Sequence, residues 1–275
     1  MKLTAEEKYR YSRHLLLQEV GLEGQEKLKQ AKVLVIGAGG LGCPVLLYLA
    51  AAGVGTIGVI DFDTIDASNL QRQILFSAND VGRSKAEVAK EKLNANNPFI
   101  DVRAYNEELT NKNALEIFST FDIIVDGTDN FYTRYMVNDA CLIANKPLVY
   151  GAIHKFEGQV SVFNYQEGPT YRCLFPSPPK TGSIPSCSEV GVVGVLPGII
   201  GTQQANEVIK IILGIGKVLS GRLLIYNALQ SSFMEIKINK TVVEVFNKEE
   251  FLKFDYKGYC DVSIGMEKGI TLEEL

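Results

Sequence analysis

The sequence lacks the features of a membrane or secreted protein. Its longest apolar run, VGVVGVLPGIIG from Val190, is well short of the roughly 20 residues that a membrane helix needs, and it contains Pro197. The first residues, MKLTAEEKYRYSRH, are charged and contain no apolar stretch of a secretion signal. We therefore expect a cytoplasmic protein that does not bind a membrane.

Cysteine and histidine are also scarce, and the net charge is negative. The five cysteines are Cys43, Cys141, Cys173, Cys187 and Cys260. Their odd number and wide spacing indicate no disulfide scaffold, which fits a reducing compartment. Neither His14 nor His154 has a ligand pattern nearby, so we expect neither to be catalytic. A net charge of −4 and a pI near 5.4 argue against nucleic acid as a partner, because phosphate binding needs a basic surface.

The order of apolar segments predicts an α/β fold with a doubly wound, Rossmann-like, mainly parallel sheet. Short apolar runs alternate with helical patterns through the first 150 residues or so. From Gly158 the pattern alternates with a period of two, which predicts C-terminal antiparallel strands. We expect one main domain over residues 1–240, with a helical segment at 1–30 and a mobile crossover loop at 166–190, followed by an appendage at 241–275.

A glycine-rich motif predicts a nucleotide site. GAGGLG, residues 37–42, fits G-x-G-x-x-G between a predicted strand and a predicted helix, where backbone N–H groups can bind phosphate. Asp61 follows at the end of the next strand, where a carboxylate would accept hydrogen bonds from ribose hydroxyls. Taken alone, these residues also fit an NAD-dependent oxidoreductase.

The residues after Asp61 favour ATP. The segment DFDTIDASNLQRQ places Asn69, Arg72 and Gln73 just beyond this acid, and Lys85 follows at the start of the next predicted helix. Two fixed cations suit a triphosphate, because they neutralise charge that grows on a departing pyrophosphate. The alternative is that both are solvated surface cations.

Acidic residues at the end of the fourth predicted strand suggest a metal site. The segment DGTDN places Asp126, Asp129 and Asn130 at the carboxyl edge of the sheet, where ligands of such sheets bind. A carboxylate beside a triphosphate typically holds Mg²⁺. Asp129 is the better candidate, because Asp126 could equally cap a turn.

In order along the chain, these motifs resemble the ThiF/MoeB/HesA family of adenylyltransferases, which are related to ubiquitin-activating enzymes. The resemblance covers about residues 5–238. It rests on RYSRHLLL, GAGGLG, DFDTIDASNLQRQ, the Lys85 segment, DGTDN, YRCLFP, PSCSEVGVVG and LPGIIGTQQANEVIK. It implies that the C-terminal glycine of a diglycine-ended, ubiquitin-like sulfur carrier protein attacks the α-phosphate of ATP. Thiamine and molybdopterin biosynthesis are both candidate pathways, a sulfur donor protein is a possible further partner, and a non-catalytic scaffold for such a carrier is the remaining alternative.

The resemblance also implies roles for individual residues. The nucleotide-binding set is Gly37, Gly39, Gly40, Gly42, Asp61, Ser68, Asn69, Leu70, Gln71, Arg72, Lys85, Asp129 and Asn130. Within it, Arg72 and Lys85 act on the triphosphate and Asp129 binds Mg²⁺. Arg13 matches a family arginine that reaches the ATP of the other subunit, which implies a homodimer.

The resemblance implies different roles for Cys187 and Cys173. Cys187 matches the family cysteine that can take the activated acyl group as a thioester or persulfide, but some members adenylylate without it, so covalent use stays open. Family zinc sites use two C-x-x-C pairs. Here Thr170 stands in place of the first cysteine, the second pair is absent, and only Cys173 remains, so we expect no zinc unless Cys260 or His154 rebuilds a site. Cys43 and Cys141 fall in predicted helices and are expected in the core.

Overall fold

A computed structural model describes residues 2–179, 191–242 and 246–261. Over these residues, eight strands form one mixed sheet in the order β3-β2-β1-β4-β5-β6-β7-β8. The strands are β1 (Lys32–Ile36), β2 (Thr56–Ile60), β3 (Asp101–Tyr105), β4 (Ile123–Asp126), β5 (Leu148–His154), β6 (Glu157–Phe163), β7 (Arg222–Asn227) and β8 (Ser232–Lys237).

Helices cover both faces of this sheet. They are α1 (Ala5–Arg10), α2 (Ser12–Leu15), α3 (Gly21–Gln30), α4 (Gly42–Ala52), α5 (Lys85–Asn96), α6 (Ala114–Ser119), α7 (Phe131–Ile143), α8 (Tyr171–Leu174), α9 (Val195–Leu213), α10 (Lys248–Lys253) and α11 (Tyr256–Asp261). Short 3₁₀ helices occupy Ala67–Asn69 and Ala78–Asp80. Within the described ranges, no helix is long and apolar enough to cross a bilayer.

The strand directions confirm the predicted fold class. The first five strands pair in parallel, and β5 to β8 pair antiparallel. Side chains of β1 alternate between two hydrophobic clusters on opposite faces of the sheet. Val35 packs with the cluster that includes α4, and Leu34 with the cluster that includes α7. Burial on both faces explains why this strand is a continuous apolar run in the sequence.

The register of the central strands creates a crevice at one edge. Ile36 at the end of β1 lies opposite Ile60 in β2 and Asp126 in β4. The residues that follow these three ends therefore meet at the carboxyl edge of the sheet. β2 and β4 lie on opposite sides of β1 in the sheet, so the strand order reverses at β1. Ligands of open α/β sheets bind at such a reversal of strand order.

The two ends of the described chain pack against this core. A capping box begins α1, since Glu7 N–H donates to Thr4 Oγ1 over 3.2 Å and Thr4 N–H donates to Glu7 Oε2 over 2.7 Å. At the other end, Phe251 and Tyr256 are buried in the hydrophobic cluster on the α7 face. The weak sequence pattern of the C-terminal segment did not indicate this packing, because its aromatic residues have no regular helical spacing.

Candidate nucleotide-binding site

The glycine turn between β1 and α4 depends on close backbone packing. Gly37 has a φ of +88°, which disfavours any side chain. A Cβ at Gly42 would lie 1.9 Å from the Gly37 carbonyl oxygen, and one at Gly37 would lie 3.0 Å from the Gly127 carbonyl oxygen. These glycines are therefore required for the turn itself, and Gly127, which follows β4, packs against it.

The other two glycines of the motif face neighbours across the crevice. A Cβ at Gly39 would meet only Gln73 Nε2, at 3.8 Å. One at Gly40 would lie 3.2 Å from Pro197 in α9 and 3.5 Å from Arg72 Cδ. The turn thus brings together the residues after Asp61 and the N-terminal part of α9, and it leaves space above Gly39.

Asp61 is fixed by two backbone donors. Its Oδ2 accepts from Ala38 N–H over 2.8 Å, and its Oδ1 accepts from Asp63 N–H over 2.9 Å. Burial raises the pKa of the Asp61 carboxyl, although the nearby Lys85 ammonium and these hydrogen bonds act in the opposite direction. The carboxylate therefore lies beside the glycine turn, where the prediction placed a ribose ligand.

The segment after Asp61 forms a compact turn that presents Arg72. Asp66 caps the first 3₁₀ helix by accepting from Ser68 N–H over 2.8 Å. The Asn69 carbonyl accepts from the N–H groups of Arg72 and Gln73 at 3.0 and 2.9 Å. Arg72 Nη1 donates to the Ser68 carbonyl over 3.3 Å, and Gln73 is buried with its Oε1 unpaired among the described residues.

Two further residues of the predicted set anchor this turn. Leu70 is half-buried against the hydrophobic cluster on the α4 face. A Cβ at Gly194 would lie 2.1 Å from the Gln71 carbonyl oxygen, so glycine at this position lets the start of α9 pack directly on the turn. Leu70 and Gln71 therefore help to hold the turn that carries Asn69 and Arg72.

Lys85 is buried, so for this residue the alternative of a solvated surface cation is wrong. Its side chain is only 7% exposed, and its Nζ lies 2.7 Å from Asp63 Oδ2. Arg72 is half-buried. Both cations therefore lie at the same edge of the sheet, one beside the glycine turn and one at the N-terminus of α5.

Asp126 caps a turn, as the alternative interpretation proposed. Its Oδ1 accepts from Thr128 N–H over 2.9 Å and from Thr128 Oγ1 over 2.6 Å. Arg134 Nε lies 3.9 Å from Asp126 Oδ2, and Arg134 Nη2 donates to the Thr128 carbonyl over 2.9 Å. Burial raises the pKa of the Asp126 carboxyl, with Arg134 and Thr128 acting against it. Asp126 thus shapes the loop that carries Asp129.

Asp129 and Asn130 differ in how they are engaged. Asn130 caps α7 through its Oδ1, which accepts from Thr133 N–H over 2.9 Å. Asp129 is exposed and makes no hydrogen bond or ion pair to the described residues. No group of three metal-ligating side chains occurs within those residues. One exposed carboxylate at this edge fits Mg²⁺, which binds through one or two carboxylates together with substrate phosphates.

Sequence reasoning missed three residues of this site. Asp63 holds Lys85, Arg134 holds the loop after β4, and Gln204 in α9 donates through Nε2 to the Asp126 carbonyl over 2.7 Å. Asp63 was within a quoted motif, but the pairing depends on how the chain returns at α5. Arg134 and Gln204 lie on helices, where no local spacing marks them.

The other residues singled out in the sequence are Arg13, Cys187, Cys43 and Cys141. Cys43 lies beside the glycine turn, where its Sγ donates to the Ala38 carbonyl over 3.3 Å. Arg13 is exposed in α2 and makes no hydrogen bond to the described residues. Cys187 lies outside the described residues. Cys43 and Cys141 are fully buried, as predicted.

The residues near Cys173 do not fit a zinc ion. Its sulfur accepts from Thr170 N–H over 3.3 Å and lies 3.5 Å from Thr170 Oγ1, so these two residues bond to each other. Cys173 is half-buried, not fully buried as a simple core cysteine would be. Among the described residues no cluster of metal-ligating side chains occurs here, and one sulfur cannot form a tetrahedral site.

Known proteins match this chain over most of its length. Residues 11–244 match the ThiF family. The chain is 53% identical over 245 residues to the sulfur carrier protein adenylyltransferase of Thermus thermophilus, with 87% of this chain and 90% of that protein covered. It is 56% identical over 238 residues to the probable molybdopterin-synthase adenylyltransferase of Porphyra purpurea, with 86% of this chain and 62% of that protein covered.

Longer relatives and a solved structure agree with these matches. The chain is 51% identical over 259 residues to the probable adenylyltransferase/sulfurtransferase MoeZ of Mycobacterium tuberculosis, covering 90% of this chain but only 66% of that protein. The structure of E. coli MccB with ATP superposes with a TM-score of 0.71 at 27% identity, covering 87% of this chain and 74% of that chain. The matches favour the adenylyltransferase prediction over the oxidoreductase and the non-catalytic scaffold. The chain therefore belongs to the ThiF family and is an adenylyltransferase.

Proposed function

We propose that this protein adenylylates the C-terminal glycine of a ubiquitin-like sulfur carrier protein and so primes it for thiocarboxylate formation. The observation that carries the proposal is the convergence of the glycine turn, Asp61, Arg72 and Lys85 at one edge of the sheet. The name of the Thermus relative, a sulfur carrier protein adenylyltransferase, supports the choice of substrate. The name of the Porphyra relative supports molybdopterin synthesis as the pathway, with thiamine synthesis as the second candidate.

The proposed reaction is a displacement at the α-phosphorus of ATP. A carboxylate oxygen of the carrier attacks this phosphorus, and the bond to the oxygen that bridges the α- and β-phosphates breaks. Pyrophosphate leaves with that electron pair. Charge grows on the leaving group, and Arg72 and Lys85 are fixed cations that stabilise it.

The remaining residues bind and orient the substrates. Asp61 accepts hydrogen bonds from the ribose, and the N–H groups of the glycine turn bind phosphate oxygens. Asp129 would hold Mg²⁺, which neutralises phosphate charge when bound. A diglycine tail suits a narrow approach to the α-phosphate, because it has no side chains. Cys187 is proposed to act, if at all, after the adenylate has formed.

The first test is ATP–pyrophosphate exchange with Mg²⁺ and diglycine-ended carriers from both pathways. We expect exchange with one of these carriers and none with the same carrier after removal of its diglycine. Arg72→Ala should slow exchange on the order of 10²-fold or more, since it removes a charge that acts in the transition state. Arg103→Ala, which removes an exposed arginine on β3, is the matched control, and Cys187→Ala should retain exchange. A folded protein that binds ATP but exchanges with no carrier would contradict the proposal.

We also propose a homodimer in which Arg13 contributes to the site of the partner subunit. Arg13 is an exposed cation, and the neighbouring Leu16 is 73% exposed, which leaves an apolar surface beside it. Subunit mixing tests this arrangement. Arg13→Ala and Arg72→Ala should each be inactive alone, whereas a re-equilibrated mixture should regain activity because one site in each mixed dimer is intact. A mixture that stays inactive while mixed dimers form would exclude action between subunits.

A further inference from the structure

Asp63 and Lys85 are held together by both side-chain and backbone contacts. The ion pair spans 2.7 Å between Lys85 Nζ and Asp63 Oδ2. The backbone N–H of Lys85 also donates to the Asp63 carbonyl over 3.0 Å, and Thr64 bridges to Ser84 in antiparallel fashion. The position of the ammonium is therefore set relative to the end of β2.

Lys85 occupies an unfavourable place for a cation. It is the first residue of α5, with Ser84 as its N-cap, and helix dipoles disfavour positive charge at this end. Its side chain is 7% exposed, whereas that of Asp63 is 52% exposed. Burying a cation is costly unless it is paired. Lys85 therefore does not serve the stability of α5, and Asp63 supplies the charge that offsets its cost.

The same aspartate connects Lys85 to the rest of the nucleotide site. Asp63 N–H donates to Asp61 Oδ1 over 2.9 Å, and Asp61 Oδ2 accepts from Ala38 N–H in the glycine turn over 2.8 Å. These contacts link the phosphate-binding turn, the ribose-binding acid and the buried cation. An ammonium has three N–H groups, so pairing with Asp63 leaves others for phosphate oxygens.

We propose that Asp63 is a positioning residue that fixes the Lys85 ammonium for contact with the departing pyrophosphate. The inference rests on the proposed adenylylation. The Asp63 carboxylate is itself negative and repels phosphate, so it does not strengthen the binding of ATP in the ground state. Its contribution falls on the transfer step, where a correctly placed cation stabilises growing charge.

The test combines exchange kinetics with direct binding of ATP. Wild type, Asp63→Asn, Lys85→Met and the double variant are compared at saturating carrier and Mg²⁺, with affinity for ATP measured by calorimetry. Asp63→Asn should lower kcat roughly tenfold or more without raising KM for ATP. In the Lys85→Met background the same change should have no further effect, since Asp63 acts through Lys85. Asp63→Glu, which keeps the carboxylate, should recover part of the rate.

Asp101→Asn is the matched control. The Asp101 side chain is 58% exposed at the start of β3, and its Oδ2 lies 2.8 Å from Arg103 Nε. The substitution therefore removes a similar ion pair away from the site. It should leave exchange unchanged. An Asp63→Asn variant that keeps its kcat, or that slows exchange equally with and without Lys85, would overturn the inference while wild-type exchange upholds the proposed function. A wild type without exchange would overturn both.

Discussion

The backbone N–H of Ala38 donates a hydrogen bond to Asp61 Oδ2 over 2.8 Å. Ala38 lies within the glycine turn and Asp61 follows β2, so this bond joins the parts of the site that are proposed to bind phosphate and ribose. Burial raises the pKa of the Asp61 carboxyl, with Lys85 opposing it. The ionised Asp61 carboxylate therefore lowers stability near neutral pH relative to a neutral side chain, a cost that would be consistent with the proposed role in binding.

Asp61→Asn should weaken ATP binding and change stability little, because two effects on the folded state oppose each other. Because the pKa of Asp61 is raised in the folded state, the free-energy cost of its charge is present at neutral pH and disappears as protonation occurs at lower pH. The neutral amide removes that cost, but its NH₂ group cannot accept one of the two backbone N–H bonds that Asp61 accepts from Ala38 and Asp63. It also accepts weaker hydrogen bonds from ribose, so affinity should fall roughly 10- to 100-fold. Calorimetry and thermal melting would measure the two effects. A lower melting temperature with unchanged affinity would show a purely structural role.

Gly42→Ala and Gly39→Ala should separate folding from binding. A methyl group at Gly42 would meet the Gly37 carbonyl oxygen at 1.9 Å, so the turn must shift, at a cost of about 3 kcal/mol or more in unfolding free energy. A methyl group at Gly39 meets only Gln73 Nε2 at 3.8 Å, so stability should change by less than about 1 kcal/mol. It would instead occupy space predicted for phosphate and weaken ATP binding. Denaturant unfolding and calorimetry on both variants test this contrast. Equal unfolding free energies for the Gly42→Ala and Gly39→Ala variants would contradict it.

Asp80 should make stability depend on pH in the acid range. Burial opposes its ionisation, but hydrogen bonds from Lys92 and from Ser77, which donates through both N and Oγ at 2.7 Å, outweigh burial. They lower the pKa of Asp80 from 3.8 to about 2. The ionised Asp80 carboxylate therefore stabilises the folded state by about 2 kcal/mol at any pH above the pKa that Asp80 has in the unfolded chain. This stabilisation is lost as the pH falls from about 4 to about 2.

Asp80→Asn provides the measurement. Its free energy of unfolding should lie about 2 kcal/mol below that of wild type at pH 7, and the gap should narrow as the pH falls through this window. A gap that is constant between pH 7 and pH 3 would show that the charge of Asp80 contributes little.

The C-terminal segment should be held by a hydrogen bond to a buried ion pair between α7 and α8, with no metal required. Arg172 donates to Asp139 through Nε at 2.8 Å and through Nη2 at 2.7 Å, and Tyr256 Oη donates to Asp139 over 2.8 Å. The Arg172 guanidinium also lies 4.8 Å from the centre of the Tyr135 ring. Asp139→Asn should therefore lower unfolding free energy by about 3 kcal/mol, since it leaves a buried charge unpaired.

A surface pair provides the control for this prediction. Glu249→Gln breaks an exposed pair with Lys253 and should cost less than about 0.5 kcal/mol. Treatment with a zinc chelator should leave the melting temperature of the wild type unchanged. A clear fall after chelation would mean that a metal stabilises this protein.

Much of the sheet could be predicted, because each parallel strand is buried on both faces and must be an apolar run. The strand predicted before the GAGGLG motif is β1, Lys32–Ile36. Neither α8, which lies within the crossover loop predicted at 166–190, nor the packing of Phe251 was apparent, since short helices held by tertiary contacts have little periodicity of their own. Asp63 was visible as an acid but not as the partner of Lys85.

By itself, the sequence determined the order of strands and helices, the glycine turn and the types of charge near it, because these depend on local backbone sterics and on which faces are buried. Only the tertiary structure decided which of those charged side chains are paired within the protein and which are exposed to a ligand. The return of the chain at α5 pairs Lys85 with Asp63, and the tight loop after β4 engages Asp126 but leaves Asp129 exposed. Lys85 and Asp63 are 22 positions apart in the chain, so no local pattern can specify their pairing, whereas the Asp126 turn joins residues two positions apart and could be foreseen as an alternative.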